Sequence, residues 1–261
     1  MACGACALVW AEHHLEMPDL VEHYETREPT AAVRRGRVPL FDAFLDEAGR
    51  RISPRPGRLL DVGCGWGDFV ERAVRRGWEA CGIEPSRRIA DNASRRGLRV
   101  HPGTLQDLPS DWSGFNLITY WDVFMYVEDP VRELRRALAR LAPGGALYMR
   151  LRQHAILRLY DRLWGAAGRR LGLPNPVVYQ WFNYEPRTMK VLGNILAAER
   201  PLRLELRPAR LSRGDPYQSF RRDWPVRAAK GMIAAIADLA HAVSGGRLIL
   251  SPSMEVWIRP R

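Results

Sequence analysis

The amino-acid sequence predicts an α/β protein with a doubly wound, seven-stranded sheet that is mostly parallel, has an antiparallel last strand and carries helices on both faces. Residues 58–70 have the pattern of a buried strand, a glycine-rich turn and the start of a helix. From there to residue 151, short apolar runs alternate with segments of helical spacing, which is typical of consecutive βα units. Segments 201–208 and 248–258 alternate apolar and polar residues and are predicted to be the last two, antiparallel strands, with a helix over 224–243 between them.

The composition is that of a globular protein. Hydrophobic residues make up 46% of the 261 residues, which suits one domain of this class with an elaboration. The net charge is +11, yet Lys190 and Lys230 are the only lysines, and the arginines are scattered along the chain, many of them in pairs. Scattered pairs on predicted helix faces argue against nucleic acid as the partner.

No segment has the length and apolarity that predict a transmembrane helix. The nearest, Ala228–Val243, is short and contains Lys230 and Asp238. The sequence is compatible with peripheral contact with a membrane. The first residues lack the basic region of a signal peptide, and four cysteines do not suggest a disulfide framework in a chain of this size. We therefore expect a cytoplasmic protein, and the sequence does not indicate its oligomeric state.

The glycine-rich turn has a spacing that bears on its ligand. One acid, Asp61, stands in the strand, and Gly63, Gly65 and Gly67 follow as G-x-G-x-G, whereas a dinucleotide site has G-x-G-x-x-G. Asp61 would repel a phosphate but attract a ligand that carries an ammonium group. The next predicted strand ends in Glu84, where a carboxylate can accept both hydroxyls of a ribose.

This combination resembles motifs I and II of the class I S-adenosylmethionine-dependent methyltransferases of the bacterial small-molecule type. The resemblance continues in order through three further segments, which are 103–109 (G-x-x-x-D-L-P), 122–130 (similar to D-V-L-E-H-V-x-D-P) and 142–145 (A-P-G-G). It implies a Rossmann-like core with S-adenosylmethionine as cofactor and a small molecule as methyl acceptor. The acceptor atom is expected to be an oxygen of a sugar, a quinone precursor or a secondary metabolite.

The resemblance also implies a role for each cofactor-site residue. Asp61 would help to hold the methionine ammonium group, Gly63 and Gly65 would bring backbone against the methionine part, and Glu84 would bind the ribose hydroxyls. Four further residues would surround the adenine and the edge where methyl donor meets acceptor, namely Leu105 and Gln106, then Trp121 and Asp122.

Two departures from the family pattern concern catalysis. Met125-Tyr126 stands where relatives have Glu-His, so Asp122 has no partner carboxylate, and a divalent metal ion is disfavoured. If a general base is needed, His154 beyond the fifth strand is the first candidate and Tyr126 the second. The resemblance also implies that Gln180 stands where relatives often have a histidine that could face substrate.

The predicted organisation has four parts. Residues 1–52 form a helical segment with one C-x-x-C, 53–151 the cofactor-binding core, 152–200 a helical cap on the substrate side, and 201–261 the end of the sheet. Cys3 and Cys6 resemble the distal half of a zinc ribbon that precedes some bacterial methyltransferases. Two thiolates do not complete a tetrahedral zinc site, and His13 and His14 have a poor spacing for it, so no metal site is predicted.

Two other functions remain open at this point. A protein that keeps the cofactor fold but acts in binding or assembly would explain the histidines lost at Tyr126 and Gln180. An RNA methyltransferase would use the arginines, but residues 121–124 read Trp-Asp-Val-Phe rather than the Asn/Asp-Pro-Pro-aromatic signature of many base N-methyltransferases.

Overall fold

A computed structural model describes residues 1–10, 16–52, 55–156, 158, 170, 180–209 and 224–261, with only the backbone given for 224–230 and 233. The strands are β1 (Val9–Trp10), β2 (Arg58–Val62), β3 (Glu79–Glu84), β4 (Val100–Pro102), β5 (Phe115–Trp121), β6 (Leu141–Arg152), β7 (Phe182–Asn183), β8 (Leu202–Pro208) and β9 (Ser253–Pro260). The helices are α1 (Met17–Glu25), α2 (Ala31–Ile52), α3 (Asp68–Arg75), α4 (Arg87–Arg95), α5 (Pro130–Ala139), α6 (Pro186–Ala197) and α7 (Trp224–Val243). Much of the helical cap predicted for 152–200 lies outside the described residues.

In the described part of the chain, seven strands form one sheet in the order β4-β3-β2-β5-β6-β9-β8. The pairs from β4 to β6 are parallel, while β9 is antiparallel to both of its neighbours. The predicted mostly parallel sheet with an antiparallel last strand is therefore confirmed. The carboxyl ends of β2, β3 and β5 meet at one edge, which is where doubly wound folds bind ligands.

The sheet buries apolar side chains on both faces because successive residues of a strand point to opposite sides. Leu60, Ile118 and Leu147 belong to one core cluster, and Leu59 and Leu117 belong to the other. The second cluster lies under α2 and contains a set of packed aromatic rings, which are Phe41, Phe44, Phe69, Trp121, Tyr148 and Trp257. This packing fixes α2 above the sheet beside the ligand edge.

Two strands begin later than the apolar pattern around them. Strand β4 begins at Val100 because the amide of Leu98 donates to the carbonyl of Ala93 at 3.3 Å and the Leu98 side chain packs against Gly67. The last, expected from Leu248, begins at Ser253 because the amide of Leu248 donates to Ser244 Oγ at 2.9 Å and so continues the turn after α7. Helix α7 itself has the predicted bounds.

A second, two-stranded sheet joins β1 to β7, with Trp10 opposite Phe182. Thr188 Oγ1 also donates to the carbonyl of Cys6 at 2.8 Å. The N-terminal segment is thus held against the region that follows β6, and the division into four parts stays a prediction. Cys3 and Cys6 are free thiols. Across the described ranges, no group of three or more His, Cys, Asp or Glu side chains is placed to hold a metal ion.

None of the helices in the described part of the chain combines the length and apolarity that crossing a bilayer requires.

Candidate functional site

A cavity of about 800 Å³ opens at the edge where β2, β3 and β5 end, and α1 and α2 form its other wall. Eight predicted cofactor-site residues line it, namely Asp61, Gly63, Gly65, Glu84, Leu105, Gln106, Trp121 and Asp122. They come from four separate segments of the chain, and the fold brings them together at one place. The volume lies within the usual range for small-molecule sites, roughly 300–1,000 Å³.

The glycine loop approaches the cavity with its backbone. Gly63 has φ of 67°, and a Cβ there would lie 2.5 Å from Val123 Cγ1, so both conformation and packing require glycine. Gly65 has φ of 54°, yet a Cβ there would meet no atom within 4 Å. The left-handed turn at Gly65 therefore exposes backbone towards open space in the cavity, and Gly67, two residues later, is the N-cap of α3.

Glu84, the last residue of β3, is bound by the glycine loop. Its Oε2 accepts from the amide of Gly65 at 2.9 Å, and its Oε1 accepts from the amide of Ser86 at 3.1 Å. Burial raises the pKa of Glu84 above its usual value, while the two amide hydrogen bonds oppose that shift. The carboxylate is thus oriented by backbone groups of both adjoining loops.

Asp61 in β2 is 2% exposed and lines the same cavity. Thr119 Oγ1, on neighbouring β5, donates to its Oδ1 at 2.7 Å. Burial raises the pKa of Asp61 to about 8, against the opposing effect of the Thr119 hydrogen bond. A cationic ligand would bind favourably beside a carboxyl group in this environment, because the ligand's charge stabilises the ionised form that burial disfavours.

At the other end of the cavity, Asp122 follows β5 in the left-handed conformation, with φ of 55°. Its Oδ2 accepts from Arg150 Nη1 at 2.8 Å, and its amide donates to the carbonyl of Arg150 at 3.2 Å. Arg150 is on β6, is 7% exposed and also lines the cavity. A non-glycine residue with this φ is unusual and is held by its surroundings, here by Arg150.

Asp122 and Arg150 belong to a line of alternating charges that we call the charged row. The pairing of strands places Arg207 opposite Glu255, and Glu255 opposite Arg150. Arg207 Nε donates to Glu255 Oε2 at 2.8 Å, and Arg207 Nη2 donates to Glu47 Oε2 of α2 at 2.8 Å. The charged row (Glu47, Arg207, Glu255, Arg150 and Asp122) therefore runs across four strands from α2 to the cavity.

The two candidate bases lie in different environments. Tyr126 lines the cavity, accepts a hydrogen bond from the hydroxyl of Tyr24 at 3.2 Å and packs edge-on against Trp181. His154 is 2% exposed and is not among the described residues that line the cavity. Burial, and next the charge of Arg158, lower the pKa of His154 to about 4. The structure therefore places Tyr126 in the cavity lining, and His154 is buried outside that lining.

Sequence reasoning singled out none of the six arginines that line the cavity, and two of them, Arg37 and Arg150, bear on its chemistry. Arg37 of α2 lines the cavity, and its charge acts on nearby Asp68 at the start of α3. No sequence signal distinguishes Arg37, because arginines occur throughout the chain. Arg150 does carry a signal, since a charged residue inside a predicted buried strand calls for a partner.

Comparison with known proteins identifies the family to which the chain belongs. A sequence model described as "Methyltransferase domain" matches residues 33–187. A ubiquinone biosynthesis O-methyltransferase of a Caulobacter species is 33% identical over 113 residues, which are 40% of this chain and 45% of that protein. The Xanthomonas oryzae protein of the same name is 28% identical over 130 residues, covering 47% and 52%. These alignments span about half the length of the curated relatives.

Solved structures show the same fold. The plantazolicin methyltransferase BpumL in complex with SAH has a TM-score of 0.56 at 14% identity, over 92% of this chain and 88% of that one. A Thermotoga maritima SAM-dependent methyltransferase has a TM-score of 0.52 at 17% identity, over 93% and 97%. Because the family model covers more than half of the chain, the protein belongs to the methyltransferase domain family, and its fold is that of the class I S-adenosylmethionine-dependent methyltransferases.

Proposed function

We propose that the protein transfers a methyl group from S-adenosylmethionine to an oxygen of a small-molecule acceptor. The observation that carries this proposal is the placement of Asp61 and Glu84 on one cavity around the backbone of Gly65. Supporting it, the curated relatives described above are named O-methyltransferases of ubiquinone biosynthesis. A quinone precursor, a sugar and a secondary metabolite are the acceptor classes to test.

The donor half of the cavity suits the parts of this cofactor. Glu84 would accept hydrogen bonds from the two ribose hydroxyls, and Asp61 would neutralise the methionine ammonium group. Leu105 and Gln106 would cover and read the adenine. Arg37 adds the cation that the methionine carboxylate needs, because it lines the cavity close to the start of α3.

The residues of the chain have limited chemistry to do, since the cofactor supplies a methyl group already activated by a sulfonium charge. The acceptor oxygen forms the new bond to carbon as the sulfur–carbon bond breaks, and the hydroxyl proton leaves to a base or to solvent. The cavity walls align the reactants and exclude water. Tyr126 is our candidate for the group that receives or orients that proton. A base role for His154 stays a prediction, which its position does not support.

The acceptor half is built from α1, the end of β6 and Gln180. We infer that residues 152–200 shape the pocket for the acceptor, because Gln180 lines the cavity and Trp181 packs against Tyr126. A cytoplasmic location stays a prediction from the sequence.

Calorimetry with S-adenosylhomocysteine tests cofactor binding. The Gly65→Val variant is expected to lose binding, because it adds both strain and bulk where the loop faces the cavity. Gly144→Val is the matched control, since Gly144 has φ of 74°, also meets no atom within 4 Å and does not line the cavity. Equal affinity in the two variants would contradict the proposed site.

Formation of S-adenosylhomocysteine from S-adenosylmethionine, measured against a panel of hydroxylated aromatics, sugars and extract fractions, tests turnover. Acceptor-dependent product that disappears in Gly65→Val supports the enzyme. Tight binding of S-adenosylhomocysteine without product from any fraction would instead favour the binding or assembly protein suggested by Tyr126 and Gln180.

A further inference from the structure

A second cavity, of about 100 Å³, lies at the opposite edge of the sheet. Its lining residues are Arg51, Arg203, Glu205, Trp257 and Arg259. Arg203 is the second residue of β8 and Arg259 the next-to-last residue of antiparallel β9, so both lie near the amino ends of the parallel strands. The cavity is therefore separate from the methyltransferase site, which is formed at the carboxyl ends.

The charges around this cavity are unbalanced. Three guanidinium groups and one carboxylate line the cavity, and Arg51 donates to both oxygens of that carboxylate, Glu205, at 2.9 Å each. Arg51 Nε also donates to Glu47, which lies outside the lining, so the unpaired positive charge belongs to the other two arginines. Within the described ranges, neither Arg203 nor Arg259 has a carboxylate at ion-pair distance. Strand pairing nevertheless places Arg203 directly opposite Arg259. Like charges in directly opposite positions destabilise a sheet, so this arrangement needs a compensating group.

Arg259 also has an unmet hydrogen-bond requirement. Its Nη2 is sealed from solvent and has no acceptor among the residues that the structure describes. Burial, together with the charge of Arg51, lowers the pKa of Arg259 from its usual value. A buried donor without an acceptor is costly, and a guanidinium group normally meets carboxylates or phosphates.

Trp257 gives the cavity a rigid floor. The Arg51 guanidinium lies 5.0 Å from the centre of its ring and the Arg259 guanidinium 5.8 Å from it, while the ring itself is 1% exposed. The cavity volume is several times the roughly 30 Å³ that one water occupies in the liquid. There is room for a small anion between the arginines.

We propose that this cavity binds a tetrahedral oxyanion, either inorganic phosphate or the phosphoryl group of a larger ligand. Arg203 and Arg259 donate to its oxygens, while Arg51 stays paired with Glu205 and fixes the ring of Trp257. The anion removes the repulsion between the two opposed arginines and supplies acceptors for their N–H groups. This site does not depend on the methyltransferase activity.

Calorimetric titration of the full chain with sodium phosphate, at an ionic strength kept constant with chloride, tests the proposal. We expect saturable binding of one phosphate per chain, and a loss of affinity of at least tenfold in both Arg259→Gln and Arg203→Gln. Arg99→Gln is the matched control, because Arg99 also lies over a tryptophan ring, at 4.4 Å from that of Trp112, but lines neither of the two cavities described here. Its affinity should equal that of the wild type.

Adenosine monophosphate and acetate complete the experiment. If the nucleotide binds more tightly than phosphate, the ligand of the cavity is larger than the free ion. If the two bind equally, the ligand is the free ion. In both cases the affinity must fall in the Arg259→Gln variant. Acetate binding as tight as phosphate would overturn the tetrahedral assignment. Heats no different from those of chloride, or affinities unchanged in folded Arg259→Gln and Arg203→Gln proteins, would overturn the site. Thermal unfolding of each variant shows whether it is folded, and the exposed position of Arg203 makes Arg203→Gln the safer of the two.

Discussion

The two ends of the main cavity hold their carboxylates in opposite ways. At the donor end, Asp61 and Glu84 are surrounded by backbone amides and a hydroxyl, and among the described residues no cation contacts them. At the acceptor end, Asp122 is paired with Arg150 and continues into the charged row. In the proposed donor half, Asp61 and Glu84 are therefore without a paired cation until a cationic ligand arrives, whereas Asp122 in the proposed acceptor half is already paired with Arg150.

This difference predicts what each end responds to. Changes at the acceptor end leave a buried charge uncompensated in the folded protein itself, so they act first on stability. Changes at the donor end act first on ligand affinity, because the missing charge belongs to the ligand. The four predictions below test that contrast.

The largest effect is expected for Glu255→Gln, in the middle of the charged row. Glu255 is 3% exposed, and its loss removes the carboxylate between Arg207 and Arg150, which then keep one carboxylate each, Glu47 and Asp122. Removing one partner of a buried ion pair costs about 3–5 kcal/mol of unfolding free energy, which urea denaturation measures. Affinity for S-adenosylhomocysteine should change by less than about threefold, because substitutions at well-separated sites act almost independently of one another.

The control for that variant is Glu205→Gln. Glu205 also pairs with an arginine on this side of the sheet, but its side chain is 34% exposed, so we expect a cost of at most about 1 kcal/mol. Equal losses of unfolding free energy in Glu255→Gln and Glu205→Gln would show that the charged row has no special role in stability.

Next in size is Glu84→Gln at the donor end. Losing a carboxylate that accepts two ribose hydroxyls should weaken S-adenosylhomocysteine binding about 100-fold, since charged hydrogen bonds contribute about 1.5–3 kcal/mol each. Calorimetry measures this loss. Glu79→Gln, at the exposed start of the same strand, is the control and should bind normally. Wild-type affinity in the Glu84→Gln variant would contradict the proposed contact between Glu84 and the ribose hydroxyls.

A third prediction concerns pH. Because the folded protein keeps the pKa of Asp61 at about 8, against about 4 in an unfolded chain, Asp61 costs stability progressively as pH rises from 4 to 8. An ammonium-bearing ligand lowers that pKa, so binding should release a proton. Affinity for S-adenosylhomocysteine should rise up to about tenfold per pH unit between pH 6 and 8.

Calorimetry in buffers of different ionisation enthalpy measures the proton release. Asp61→Asn should bind weakly and without this dependence on pH. A wild-type affinity that falls or stays constant over the same range would contradict an ammonium contact at Asp61.

The smallest effect is expected for Arg37→Gln. If Arg37 meets the carboxylate of the methionine part, its loss should weaken S-adenosylhomocysteine binding about tenfold, as expected for one charged hydrogen bond at a partly exposed site. Arg35→Gln, two residues away and exposed, should bind as the wild type does. Methylthioadenosine, which lacks the amino-acid part, should bind both variants equally.

The donor end was largely predictable because its geometry is local. Asp61, Gly63 and Gly65 lie within one strand–turn–helix segment, and Glu84 ends the next strand, so a short pattern carries both the conformation and the chemistry. The bounds of α7 were also predictable, from one long stretch of helical spacing. The start of β9 was not, because it depends on a hydrogen bond from Leu248 back to Ser244.

The sequence by itself determined the parallel core, the glycine turn and the acids before and after it, because each depends on periodicity and on residues close together in the chain. Only the tertiary structure decided that Arg150 meets Asp122, that Arg203 stands opposite Arg259, and that His154 is buried away from the cavity. These contacts depend on the register between strands remote in sequence, and a shift of one residue would turn every side chain to the other face.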